Sequence, residues 1–264
     1  MMKSMTAVVV GGHSGFGEAI SRTFAAQGAN VVVAARRRDV VDEVAADIGG
    51  IGMTCDIVDD EQVSALVADA VEQTGRLDVF VNCAGYSQST PISDLTPELL
   101  ADMHAVQIQG AMYCMRHAGN AMRHLGNGGS FVSISSLTAH NPSRGLAAYA
   151  SAKAALENAT EIAAVEYGDA SIRFNAVAAS LIETPMTAAA FEHAPAAMRA
   201  IGEMTPLGRF GSSQDIANAV LFLCSDLGSF ITGQTIRVDG GASLLALPTP
   251  QMYADAARRE AEAS

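Results

Sequence analysis

Seven short runs of β-branched and aliphatic residues recur along this chain of 264 residues: Ala7 to Val10, Val31 to Val33, Ile51 to Cys55, Val79 to Val81, Ser130 to Ile134, Ile172 to Val177 and Thr235 to Val238. They are nearly continuous in apolar character rather than alternating, so both faces of each strand need cover. Between them lie longer Ala-rich stretches with helical spacing: Glu18 to Gln27, Glu61 to Gln73, Pro97 to Leu125, Leu146 to Tyr167 and Gln214 to Cys224. Strand, crossover helix and parallel strand in repetition predict an α/β fold, a doubly wound parallel sheet of seven strands with helices on both faces. A closed eight-stranded barrel fits the length less well.

One domain spanning residues 1–264 is expected, because a chain of this size buries roughly 70–75% of its unfolded surface and needs neither disulfide nor metal to hold together. The net charge of −12 repels nucleic-acid phosphates and anionic lipid headgroups, which speaks against nucleic-acid or membrane partners. Cys55, Cys83, Cys114 and Cys224 form no CxxC pair and sit in apolar segments, as small hydrophobes do in a reducing compartment. The first strand follows Lys3 without signal-peptide architecture, and no apolar run approaches the ~18 residues of a membrane span, so a cytoplasmic location is expected. Two regions break the rhythm. Residues 184–209, rich in Met, Ala and Phe, follow the carboxyl end of a strand, where lids over ligand sites occur; a tail begins at about 242.

The first strand runs into Gly11-Gly12-His13-Ser14-Gly15-Phe16-Gly17 and then a helix. Gly11, Ser14, Gly15, Phe16 and Gly17 stand where a backbone turns tightly and free N–H groups at a helix start favour a pyrophosphate; an ordinary tight turn is the plainer reading. No GK[ST] follows, which speaks against a P-loop nucleotidase. At the end of the second strand an uncharged Ala35 is followed by Arg36, Arg37 and Arg38 where an acidic residue would bind both ribose hydroxyls of NAD(H). Arg36 and Arg37 there suit a 2′-phosphate and favour NADP(H), with NAD(H) still possible; a solvated helix start is the alternative. Asp56, beside Ile57, either accepts from an adenine amino group or caps a helix. Asn82, Cys83, Ala84 and Gly85 put small residues at another strand end, where a flat cofactor can pass close to backbone.

Tyr149 and Lys153 stand four apart in a helical stretch, on one face, with Ser136 at the end of the preceding strand. An ammonium beside a phenol is expected to lower its pKa toward working pH, as a proton donor to a carbonyl oxygen requires, and Ser136 is placed to hydrogen-bond the same oxygen. A surface Lys beside a half-buried Tyr is the bland alternative.

These residues, with Asn175-Ala-Val177, Ile182 to Met186, Pro206 to Phe210 and Phe230 to Gly241, resemble the short-chain dehydrogenase/reductase family in family order from Thr6 to about Gly241. The resemblance implies a Rossmann-like sheet ordered 3-2-1-4-5-6-7 and hydride transfer between nicotinamide C4 and a carbonyl or secondary alcohol. It also implies Tyr149 as acid or base, Ser136 polarising the substrate oxygen, Lys153 on the nicotinamide ribose, and Ile182 and Thr184 on the carboxamide. Three positions depart from the pattern: Val10 replaces a Thr, Gln107 stands at the Asn of the proton relay, and Ala179-Ser180 replace Pro-Gly. The pocket wall is expected to include Tyr86, His140, Leu146, Met186 and Phe191, apolar enough for alicyclic, aromatic or acyl ketones. A 3-oxoacyl-[acyl-carrier-protein] reductase is the second enzymatic reading, and an NADP-binding regulatory protein without turnover is the alternative from another class. A homotetramer or homodimer is expected, as the family commonly forms.

Overall fold

The computed structural model describes residues 1–244. Its first half alternates β1 (Thr6–Val10), α1 (Gly15–Ala26), β2 (Asn30–Ala35), α2 (Arg38–Ile48), β3 (Ile51–Thr54), α3 (Asp60–Thr74) and β4 (Val79–Asn82). Then come α4 (Pro97–His104), α5 (Ala111–Leu125), β5 (Gly129–Ser136), α6 (Ala147–Tyr167) and β6 (Ile172–Ala179). α7 (Ala188–His193), α8 (Pro195–Met204), α9 (Ser213–Cys224) and β7 (Thr235–Val238) complete it. The seven strands form one parallel sheet in the order β3-β2-β1-β4-β5-β6-β7, as the family resemblance implies.

Successive side chains of a strand point to opposite faces, and here both faces are apolar. Val8, Val10, Phe80, Phe131 and Phe174 join Leu66, Cys114 and Leu156 from α3, α5 and α6 in one core layer. Ala7, Val9, Val33, Val81 and Val132 join Ile20, Val41 and Ile216 from α1, α2 and α9 in the other. Local chemistry sets the helix ends. Asp59 accepts from the N–H groups of Glu61 and Gln62 at the start of α3, Ser212 and Asp215 form a reciprocal capping box on α9, and a left-handed Gly75 stops α3.

Two elements differ from the sequence reading. α2 carries apolar residues at Val40, Val41, Val44, Ala45 and Ile48, a helical stripe beginning inside the arginine run. The stretch from Pro97 to Leu125 is interrupted by a π-helical turn at Ala105–Gly110. Within that turn Gln107 Nε2 donates to the Tyr86 carbonyl at 2.6 Å, and Gly110 lies so near Ile57 that a Cβ there would stand 2.8 Å from its side chain. An inserted residue in the helix thus aims Gln107 at the loop after β4. Among the described residues no helix is long and apolar enough to cross a membrane. The expected tail lies almost wholly outside the described residues; only Ala242–Leu244, a single 3₁₀ turn, falls within them.

Candidate active site

A cleft of about 700 Å³ opens across the carboxyl ends of the strands, where an open parallel sheet reverses its winding between β1 and β4. The glycine loop forms its floor. Gly11 has φ +73°, and a Cβ there would meet Ala84 N and Cys83 C at 3.0 Å; a Cβ on Gly17 would stand 2.1 Å from the Gly11 carbonyl oxygen. Only glycine permits this approach of loop to strand end and helix. Ser14, the N-cap of α1, gives its side chain to no backbone N–H, so the first turn of that helix presents uncapped donors to the cleft beside Gly15 and Phe16. Cradle and donors together fit the pyrophosphate of a dinucleotide.

At the adenosine end, Arg36 lines the cleft next to the buried Ala35, while Arg37 caps the backbone start of α2 outside the lining. Arg38 is tied to Asp42 at 2.7 Å, whereas among the described residues no carboxylate pairs with Arg36 or Arg37. His13, present in the glycine run but given no role there, also lines the cleft; its pKa is lowered by burial, then by Arg37, with Arg36 adding to the effect. A titratable side chain inside a glycine loop was the signal that pointed to it. Asp56 and Ile57 line the cleft; the Asp56 carboxylate accepts from Val58 N in a tight turn, whereas Asp59, not Asp56, caps α3. Asn82 is buried behind the lining, where its Oδ1 accepts from Ala84 N and shapes the turn to Gly85.

At the other end Ser136, Tyr149 and Lys153 converge. Lys153 is 5% exposed, donates Nζ to the Ile134 carbonyl at 2.7 Å and lies 5.6 Å from the centre of the Tyr149 ring. Burial lowers its pKa to about 8. Tyr149 departs from expectation: burial raises its pKa above the ordinary 10, and the facing Ser136 hydroxyl opposes that only in part. The expected lowering by Lys153 is not found: burial sets the direction, and the Ser136 hydrogen bond is what opposes it. Gln107, 1% exposed, lines the cleft with its Oε1 lacking any partner, which leaves one buried acceptor aimed at whatever enters. Ala179, Ile182 and Thr184 complete the wall, Thr184 bonding to Thr187.

Of the expected substrate residues, Tyr86, Leu146 and Met186 line the cleft, but His140 and Phe191 do not. His140 turns to Glu157, its Nε2 2.6 Å from Oε2, and Phe191 packs edge-on against Phe210 at 5.0 Å. Both are captured by partners from elements distant in sequence.

The Lys153 shift carries a stability consequence. Its folded pKa of about 8 lies below the ordinary 10.5, so folding penalises the charged form at every pH below 8, and the penalty fades as pH rises from about 8 to 10.5. Stability therefore grows with pH over that interval. Removing the amine with Lys153→Met relieves about 3 kcal/mol and forfeits about 1 kcal/mol of hydrogen bond to Ile134, a net gain of about 2 kcal/mol at pH 7. Urea denaturation at pH 7 and pH 10 checks it: the advantage should shrink at the higher pH, and an equal or less stable variant at pH 7 would contradict it.

The family model described as enoyl-(acyl carrier protein) reductase matches residues 10–243. A short chain dehydrogenase/reductase of Aspergillus oryzae is 34% identical over 252 residues, covering 92% of this chain and 97% of that one. The chain belongs to the short-chain dehydrogenases/reductases. Another member of the family, a 3alpha-hydroxysteroid dehydrogenase of Mediterraneibacter gnavus, is 33% identical over 249 residues, covering 92% of this chain and 98% of that one. The solved 3-ketoacyl-(acyl-carrier-protein) reductase of Brucella melitensis, complexed with NADH, superposes with a TM-score of 0.84 at 29% identity, covering 92% of this chain and all of that one (100%). This short-chain dehydrogenase/reductase is accordingly an oxidoreductase acting on CH–OH groups, in a family that binds NAD(P)(H).

Proposed function

We propose that this enzyme interconverts a largely apolar ketone and its secondary alcohol with NADP(H), Tyr149 exchanging the proton at the substrate oxygen. The observation that carries this reading is the meeting of Ser136, Tyr149 and Lys153 at one end of a cleft whose other end holds the glycine cradle. When bound, the nicotinamide supplies or takes the hydride. Ile182 and Thr184 sit where its carboxamide would be held, and Lys153 is the donor available to its ribose. Ser136 and Tyr149 bracket the oxygen that gains or loses a proton. A tyrosine that burial keeps protonated at neutral pH is suited to give the proton when the carbonyl is reduced.

Cleft residues Tyr86, Leu146 and Met186 support an apolar substrate, and the deformable Met186, 54% exposed at the mouth, suits irregular shapes. Residues 184–209, with α7 and α8, act as the lid over it within a single domain of residues 1–264. A homotetramer or homodimer is supported by Met112, Ile162 and Val165, exposed on α5 and α6, and a reducing, cytoplasmic setting by the four free cysteines. The acyl-carrier-protein reading takes its support from the NADH-complexed neighbour.

The test is a titration with NADPH and NADH followed by a panel of cyclic and acyl ketones. The parent is expected to bind NADPH more tightly, and Arg36→Ala to weaken NADPH about tenfold at low salt without changing NADH. Equal affinities in the parent would defeat the 2′-phosphate reading. Binding without turnover of any carbonyl would favour the regulatory protein.

A further inference from the structure

Glu157 is 5% exposed, and nothing in the proposed chemistry uses it. It stands one turn beyond Lys153 on α6, so Tyr149, Lys153 and Glu157 repeat at four-residue intervals along one helix face. All three meet the end of β5. Tyr149 faces the Ser136 hydroxyl, Lys153 donates to the Ile134 carbonyl, and Glu157 Oε1 accepts from the Ser135 hydroxyl. The other carboxylate oxygen, Oε2, lies 2.6 Å from His140 Nε2, on the segment after β5, where the His140 side chain is 38% exposed. Both oxygens of a buried acid are thus partnered, which is the condition for keeping one inside a fold.

Among the described residues, the charged and titratable groups around this carboxylate and its neighbour Lys153 are few. His140 comes from the segment after β5 and Ser135 from β5 itself. Cys83, at the end of β4, acts on Lys153, but burial pushes its thiol up to about 12, so it is neutral at ordinary pH. Glu157 is then the negative group that favours the ammonium form of Lys153. Desolvation alone would drive that amine toward neutrality.

We propose that Glu157 is a positioning residue of the active site: its buried carboxylate clasps the end of β5 to α6 and supplies the counter-charge that keeps Lys153 an ammonium, with His140 closing the clasp from the solvent side. The inference rests on the reading of Lys153 as the cofactor's ribose donor. Glu157→Gln keeps the shape and an acceptor for Ser135 while removing the charge. Glu157→Leu removes the charge with an apolar side chain of similar volume, should the amide variant not fold. Glu157→Asp retains the charge.

Nitrogen-15 NMR of the lysine side chains reads the Lys153 titration directly. The midpoint is expected near 8 in the parent, close to that in Glu157→Asp, and lower by roughly one unit in Glu157→Gln or Glu157→Leu. With only the ammonium form binding, NADPH affinity of those two variants should match the parent at pH 6.5 and be roughly fivefold weaker at pH 8, a split that loss of packing alone would not produce. An unchanged midpoint overturns the proposal whatever the cofactor preference proves to be. A shifted midpoint with pH-independent NADPH affinity in the parent would instead overturn the role of Lys153 that the clasp is inferred to serve.

Discussion

Tyr149→Phe is expected to lower the rate of carbonyl reduction by about 10²–10⁴-fold while leaving the dissociation constant of NADPH unchanged. The substitution removes one hydroxyl and keeps the ring that lies over Lys153 Nζ, so neither the cradle around Gly11 nor the fold of α6 should move. What is lost is the donor. Burial holds that hydroxyl protonated, with Ser136 in reach of it, and the neighbouring donors are engaged elsewhere: Lys153 with the Ile134 carbonyl, and the Gln107 amide with the Tyr86 carbonyl. Parent activity in the reducing direction should fall as pH climbs through about 8, the midpoint at which Lys153 loses its charge and cofactor binding weakens. Single-turnover mixing of NADPH-loaded protein with a ketone panel measures the effect free of product release. Equal rates in parent and variant would remove Tyr149 from the chemistry and leave the fold with a dinucleotide site alone.

The strands were legible because a doubly covered sheet needs apolar residues on both faces, and Ala7–Val10 or Ile172–Val177 have little other use in a soluble domain. Tyr149 and Lys153 were legible because helical spacing fixes which side chains share a face. The strand order was not readable from periodicity and came through the family resemblance. Properties set by tertiary packing escaped the sequence. Tyr149 was expected to be acidified by its neighbour, yet how deeply it is buried depends on elements around the cleft, and desolvation there outweighs the Ser136 hydrogen bond. His140 was expected on the pocket wall, but Glu157 holds it; an acid one turn past Lys153, on the helix face that Tyr149 and Lys153 share, was the available clue. The π-helical turn that aims Gln107 has no sequence pattern at all, since it arises from the contacts of Gly110 with Ile57 and of Gln107 with Tyr86.

Farther down β5 the core is built on a row of stacked rings, and Phe131→Ala at its middle is expected to cost about 3–5 kcal/mol of stability. Phe80, Phe131 and Phe174 are direct partners in the register of β4, β5 and β6, and all three are fully buried on one face of the sheet. Their rings stack at 5.3 and 5.0 Å between centroids, and Tyr167, from the end of α6, extends the row onto Phe174 at 5.2 Å. Truncating the middle ring removes two stacking contacts and leaves a cavity walled by the flanking rings, which their own strands prevent from closing. Phe131 lies five residues before Ser136, roughly 16 Å along the strand, so the folded variant should bind NADPH as the parent does. Urea denaturation measures the loss, with Ile92→Ala as the comparison: that residue is 76% exposed, and its truncation should stay within about 0.5 kcal/mol. A loss under about 1 kcal/mol at Phe131 would mean the neighbouring rings collapse into the space.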